Sequence, residues 1–181
     1  MIEAGEHAGR AYLIDTSYLL SGGAPDLIVT LSKSFAGAVV GCYAETVSGS
    51  CGLVVAESGR LRRLYYACHS TLHEPLSIGE PLAAESAANL DHIDGDGLLA
   101  VLRQFGFDYD AFYASGQRDT YAFSERDDLE TGEWQQVIID HSARHAIPRE
   151  QRPPSRVVTR YPDNAAGRGF AGWLRALFGR R

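Results

Sequence analysis

Residues Val39–Cys68 read VVGCYAETV-SGS-CGLVVAE-SG-RLRRLYYAC, three runs rich in Val, Leu, Tyr and Cys parted by two short Ser/Gly breaks. Apolar runs of this length, bounded by Gly and Ser, specify strands joined by tight hairpin loops. The stretch therefore predicts a three-stranded antiparallel meander. With Ser48–Ser50 as the first loop, Val47 faces Cys51 and Cys42 faces Ala56, so Cys42 and Cys51 are not partners. With Ser58-Gly59 as the second, Leu53 faces Leu64 and Cys51 faces Tyr66. One face then carries Tyr43, Cys51, Leu53, Val55, Leu64 and Tyr66, and the other Val40, Cys42, Ala44, Val54, Ala56, Leu61 and Tyr65. Both faces are apolar and both call for cover, one of them under helices. Arg60, Arg62 and Arg63 are expected at the hairpin end, with their heads in water.

Outward from the meander, residues 1–10 read as a frayed end and Ala11–Asp15 as a short edge strand. Pro25-Asp26 can start a helix carrying Leu27, Ile28, Leu31 and Phe35 at helical spacing, with Gly37 as its left-handed cap. Beyond His73, Pro75, Gly79 and Pro81 give turn character. A second helix is capped by Asp94 or Asp96, carries Leu98, Leu99, Leu102 and Phe105, and ends at Gly106. Asp110–Ala114 adds a short helical turn, while Tyr121–Phe123 and Glu133–Asp140 read as strands. The fold class that follows is α+β, an antiparallel sheet built on the central meander with helices mainly on one face.

The chain of 181 residues has 45% hydrophobic content, enough for a well-filled core and too much for global disorder. No apolar run reaches the roughly 18 residues that cross a bilayer. The N-terminus is acidic and lacks a signal-peptide pattern, so the expected location is the cytoplasm. The net charge of −6 conceals segregation: nine arginines from Arg144 onward stand against Glu150 and Asp163, a net of +7, leaving −13 on residues 1–143. The expected organisation is an acidic α+β domain over 1–145 and an Arg/Pro-rich extension over 146–181 that ends in a short amphipathic helix. In that helix Trp173, Arg175 and Phe178 could dock on a membrane surface or a partner. Nucleic acid is a poor fit, because the acidic body repels phosphates.

Chemistry is less legible. Asp94-Gly95-Asp96-Gly97 resembles a calcium loop, but aligning Gly97 with the loop glycine puts Arg103 where the bidentate carboxylate belongs. A helix start, which favours acids, explains the same residues. Cys68, His69, His141 and His145 could form a zinc set if the last pair lay on one helix face. The strand pattern before His141 argues against it, and surface or hydrogen-bonded histidines are the plainer account. Cys68 with His69 and His73 could support nucleophilic catalysis, although a linear sequence shows neither a lowered thiol pKa nor a base in reach. Asp127, Asp128, Glu130 and Glu133 read as a solvated face. The three cysteines fit reduced thiols rather than a disulfide framework. No cofactor motif is present.

Three segments together carry a family resemblance: G-R-L-R-R-L-Y-Y at Gly59–Tyr66, G-E-P-L-x-x-E at Gly79–Glu85, and F-G-F-D at Phe105–Asp108. Over roughly residues 37–110 the chain is similar to uncharacterised small bacterial domains, some of which look like immunity proteins of polymorphic toxin systems. The resemblance implies a non-enzymatic protein that occludes a toxin's active site. Its acidic surface would include Glu74, Glu80, Glu85, Asp91, Asp94 and Asp96. The rival expectations are a small hydrolytic or metal-assisted enzyme at Cys68, His69 and His73, and docking on membrane or nucleic acid through the basic tail.

Overall fold

A computed structural model describes residues 2–7, 10–15, 24–45, 49–88, 95–115, 119–121 and 132–152. The elements run β1 (Ile2–His7), β2 (Arg10–Asp15), α1 (Ala24–Leu31), β3 (Ala38–Glu45), β4 (Ser50–Glu57), β5 (Arg60–Cys68), β6 (Leu76–Ile78), α2 (Ala83–Ala88), α3 (Gly95–Gln104), α4 (Tyr109–Ser115), β7 (Asp119–Tyr121) and α5 (Glu133–Arg144), with a 3-10 turn at Arg149–Gln151. They form an α+β fold with two antiparallel sheets, ordered β3-β4-β5-β6 and β2-β1-β7.

The meander forms as its sequence predicts, but both registers differ from the expected ones. In the first hairpin Cys42 pairs with Leu53 and Ala44 with Cys51, because Ser50 belongs to β4, opposite Glu45, rather than to the loop. In the second, Ser58 and Gly59 both adopt positive φ (52° and 75°), as a primed two-residue turn demands. Glu57 pairs with Arg60 and Ala56 with Leu61; a bulge then intervenes, so Val55 pairs with Arg63 and Leu53 with Tyr65. The bulge shifts the pairing by one residue, and an odd shift sends every side chain of the flanking strand to the other face. Cys51, Leu53, Val55, Tyr65 and Ala67 consequently share one core with Val40, Cys42 and Ala44 packed against it. Val54, Leu64 and Leu76 form a second core on the opposite face, joined by Tyr66. Cys42 and Cys51 remain unbridged, as expected.

Helices cover both faces rather than mainly one. Leu98 and Val101 of α3 close the first core, with Leu82, Ala84 and Phe105 at its edge. Ile28 of α1 and Trp134, Val137 and Ile138 of α5 close the second. Glu133–Asp140 is thus helix, not strand. Its β-branched run suggested a sheet, but Trp134, Val137, Ile138 and His141 recur at helical spacing and turn one side toward the core. The start of α5 is held from another helix: Asp26 accepts hydrogen bonds from the backbone N–H of Trp134 (3.1 Å) and Gln135 (2.8 Å).

Other expectations shift as well. Residues 2–7 are not frayed, because they pair with β2 from Ile2↔Asp15 to His7↔Arg10. β2 is an edge strand as expected, and β7 includes Tyr121 of the expected Tyr121–Phe123 strand, whose other two residues lie outside the described ones. Helix α1 stops at Leu31, so Gly37 is not its cap, and Phe35 lies outside the helix with 55% of its surface exposed. Leu76–Ile78, expected as turn, adds the fourth strand by pairing with Leu64–Tyr66. Helices α3 and α4 form where expected, and Gly106 follows α3 at φ 79°. Beyond residue 145 the backbone stays tied to the body: Leu72 bridges Ala146 and the Ile147 N–H donates to Thr71 O. The basic tail helix lies outside the described residues.

Candidate functional site

The end of β5 gathers the Cys68 thiol and several polar groups. Antiparallel pairing places Ser50 opposite Cys68. Immediately after the strand the chain turns tightly, with the N–H groups of Thr71 and Leu72 donating to Cys68 O (3.0 and 2.8 Å). That turn folds Thr71 back on the thiol. The Thr71 hydroxyl donates to Cys68 Sγ at 2.8 Å, Ser50 Oγ donates at 3.3 Å, and Ser70 Oγ lies 3.6 Å away. Burial alone raises the thiol pKa, but the Ser50, Thr71 and Ser70 hydroxyls together outweigh it, so Cys68 ionises below the ordinary thiol value. Cys42 shows the contrast: burial with no such donors pushes its thiol up to about 12.

A hollow of about 90 Å³ opens here, lined by Tyr65, Ala67, Cys68, His69, Leu72, His73 and Pro75. The three residues expected from sequence to act together, Cys68, His69 and His73, thus do line one cavity. His69 and His73 are exposed, and Cys68 is buried at its floor. Among the described residues no carboxylate lines the hollow.

The zinc set does not assemble in this way. His141 and His145 do share a helix face, against the strand expectation, and their rings stack at 4.3 Å. They face the β5–β6 connection rather than Cys68: His141 Nε2 donates to Glu74 O at 3.0 Å, and His145 Nδ1 lies 3.6 Å from Glu74 Oε2. Among the described residues, no three His, Cys, Asp or Glu side chains group as a metal would require.

The acidic candidates divide sharply. Glu74 and Glu80 are exposed, the Glu74 side chain to 71%. Glu85 is corrected: it is buried, with its carboxylate spent on Arg63 Nε (2.9 and 3.1 Å) and Nη2 (2.7 Å), so it cannot meet a partner. The opposite face of the guanidinium problem is also solved internally. Arg63 Nη1 donates to Ser77 Oγ (2.8 Å) and to the carbonyls of Ile78 (3.1 Å), Leu64 (3.3 Å) and Gly79 (3.4 Å). Arg63 is therefore not a water-facing hairpin residue; the bulge turns it inward. Glu85 Oε1 also accepts the Leu82 N–H at 3.0 Å, satisfying a donor at the start of α2. Asp91 and Asp94 lie outside the described residues, as do Trp173, Arg175 and Phe178; Asp96 stands in the first turn of α3, with its side chain outside them. Reasoning from the linear chain missed Arg63, Ser50 and Thr71, whose roles arise from cross-strand pairing and a turn.

Comparison with protein-family models, curated proteins and solved structures finds no match for this chain. Among the described residues, no helix is long and apolar enough to cross a membrane.

Proposed function

We propose that the chain is a non-enzymatic protein-binding domain of the immunity type, which neutralises a toxin by covering its active site. One observation carries the reading: the segment from Glu74 to Pro81, exposed except at Leu76 and Ile78, is braced from beneath by Arg63 and Glu85. Arg63 grips the Ile78 and Gly79 carbonyls, and the His73 N–H donates to His145 O at 3.0 Å. Glu74 and Glu80 are thereby presented to solvent from a segment already ordered. An ordered loop loses little conformational freedom on docking, so more of the contact energy appears as affinity. The −13 carried by residues 1–143 suits a basic partner and would speed the encounter.

The test is co-expression with the product of the neighbouring gene, followed by size-exclusion chromatography and a growth assay. The expected result is a stable complex and restored growth. Glu74→Lys combined with Glu80→Lys should weaken that complex by about tenfold or more, with thermal stability unchanged. Neither complex nor protection would remove the reading.

A small cysteine hydrolase is the second reading, favoured by the convergence of Cys68, His69 and His73 on one hollow. It stands second because it rests on the convergence of these three side chains alone. Turnover of small activated esters, lost in Cys68→Ser and in His73→Ala, would reverse that order.

A further inference from the structure

The hollow at the end of β5 brings together a nucleophile, hydroxyl donors, two imidazoles and room for a small reagent. We infer that this hollow is a covalent modification site, in which a small hydroperoxide oxidises Cys68 to a sulfenic acid. The inference goes beyond partner binding and does not depend on it.

Three features of the cavity support it. Two hydroxyls donate to the sulfur, at 2.8 Å from Thr71 and 3.3 Å from Ser50, and so stabilise negative charge on Sγ before any reagent arrives. The hollow, of about 90 Å³ and bordered by the exposed His69 and His73, leaves room beside the thiol for a small hydroperoxide to approach. The lining is divided between apolar walls, Leu72 and Pro75 among them, and the exposed imidazoles of His69 and His73.

The chemistry balances with the peroxide as sole oxidant. The thiolate sulfur attacks one peroxide oxygen, forming an S–O bond as the O–O bond breaks. Sulfur gives up two electrons, the peroxide accepts them, and the departing hydroxide takes a proton from solvent or an imidazole and leaves as water. Cys42 and Cys51 belong to the core closed by α3, on the other face of the sheet by strand alternation. Neither is placed to condense with the product, so the first oxidation gives a sulfenic acid rather than an internal disulfide. The added oxygen competes for the Thr71 hydroxyl, and Thr71 O holds the Ile147 N–H at 2.7 Å.

The experiment treats the full chain with hydrogen peroxide in the presence of dimedone and maps the adducts by peptide mass spectrometry. Cys68 should acquire the adduct about tenfold or more faster than Cys42 and Cys51. Thr71→Val should slow that labelling several-fold at an unchanged melting temperature; Ser50→Ala is the second variant should Thr71→Val fail to fold. Equal labelling of the three thiols, labelling of Cys68 only after unfolding, or hydroxyl-removing variants that fold and react like the parent would each overturn the inference.

Discussion

Arg63 on β5 and Glu85 on α2 form a two-pronged ion pair inside the protein, with Nη2 2.7 Å from Oε2 and each side chain 3% exposed. A carboxylate and a guanidinium this deeply buried are tolerable only together, because each would otherwise lack both counter-charge and hydrogen-bond partners. The pair spans 22 residues and joins the bulged strand to the helix that covers it.

Removing either member should therefore cost more than the pair is worth. Arg63→Ala or Glu85→Ala should destabilise the fold by about 3–5 kcal/mol, since each strands a buried charge. The double replacement Arg63→Met with Glu85→Leu should recover much of that loss. Urea unfolding of the three variants measures it; singles that cost less than the double would refute the account.

The Asp26 carboxylate caps α5 from a distance of more than a hundred residues, replacing a cap that Gly132 has no side chain to supply. Asp26→Ala should lower stability by about 1–2 kcal/mol. Asp26→Asn should recover only part of that loss, because one acceptor oxygen remains where two are used and the amide NH2 faces the other backbone N–H. Gly132→Ala should resemble Asp26→Ala, since a Cβ there would collide with the Asp26 carboxylate. Chemical denaturation with helicity followed by circular dichroism distinguishes the three.

Gly52 pairs across the sheet with Tyr43, and a Cβ at Gly52 would meet the ring, with Cδ1 at 2.9 Å. The ring lies over the bare glycine. Gly52→Ala should cost about 1–3 kcal/mol through displacement of the ring, despite the better strand propensity of alanine. Gly52→Ala with Tyr43→Ala should show strong coupling in a double-mutant cycle.

Stability should fall as pH rises above about 9. Burial pushes the Cys42 thiol up to about 12 and also raises Tyr43, so both hold their protons in the folded chain while the unfolded chain releases them. The folded state then binds more protons than the unfolded state, and its stability declines with pH. Each such group contributes at most about 1.4 kcal/mol per pH unit. Cys68 acts in the opposite sense: its lowered pKa adds stability that is complete above its unfolded value and lost as pH falls through its folded one. Cys42→Ala should flatten the alkaline decline, and Cys68→Ala should steepen it, in melts taken from pH 7 to 11.

Much of the sheet was legible because alternation is local. The Ser58-Gly59 turn and the apolar character of both meander faces follow from residues next to one another. Helices α3 and α4 were equally legible, since Leu98, Leu99 and Leu102 recur at the period that a helix imposes. Glu133–Asp140 was not, because a run of β-branched residues satisfies either geometry until something packs against it; α1 and the second core decide for helix.

The candidate site divides along the same line. Cys68, His69 and His73 are neighbours in sequence, and their nearness there survives as a shared hollow. The hydroxyl of Ser50 reaches Cys68 only through strand pairing, and Glu85 leaves the acidic surface only because a bulge turns Arg63 inward. Composition and local pattern by themselves determined the α+β class, the central meander, the absence of bridged thiols and the uneven charge. The tertiary structure alone decided which residues share a face, which charges are buried and which thiol the hydroxyls surround. Those properties depend on register, and one inserted residue in a strand inverts them without leaving a mark in the hydrophobic pattern.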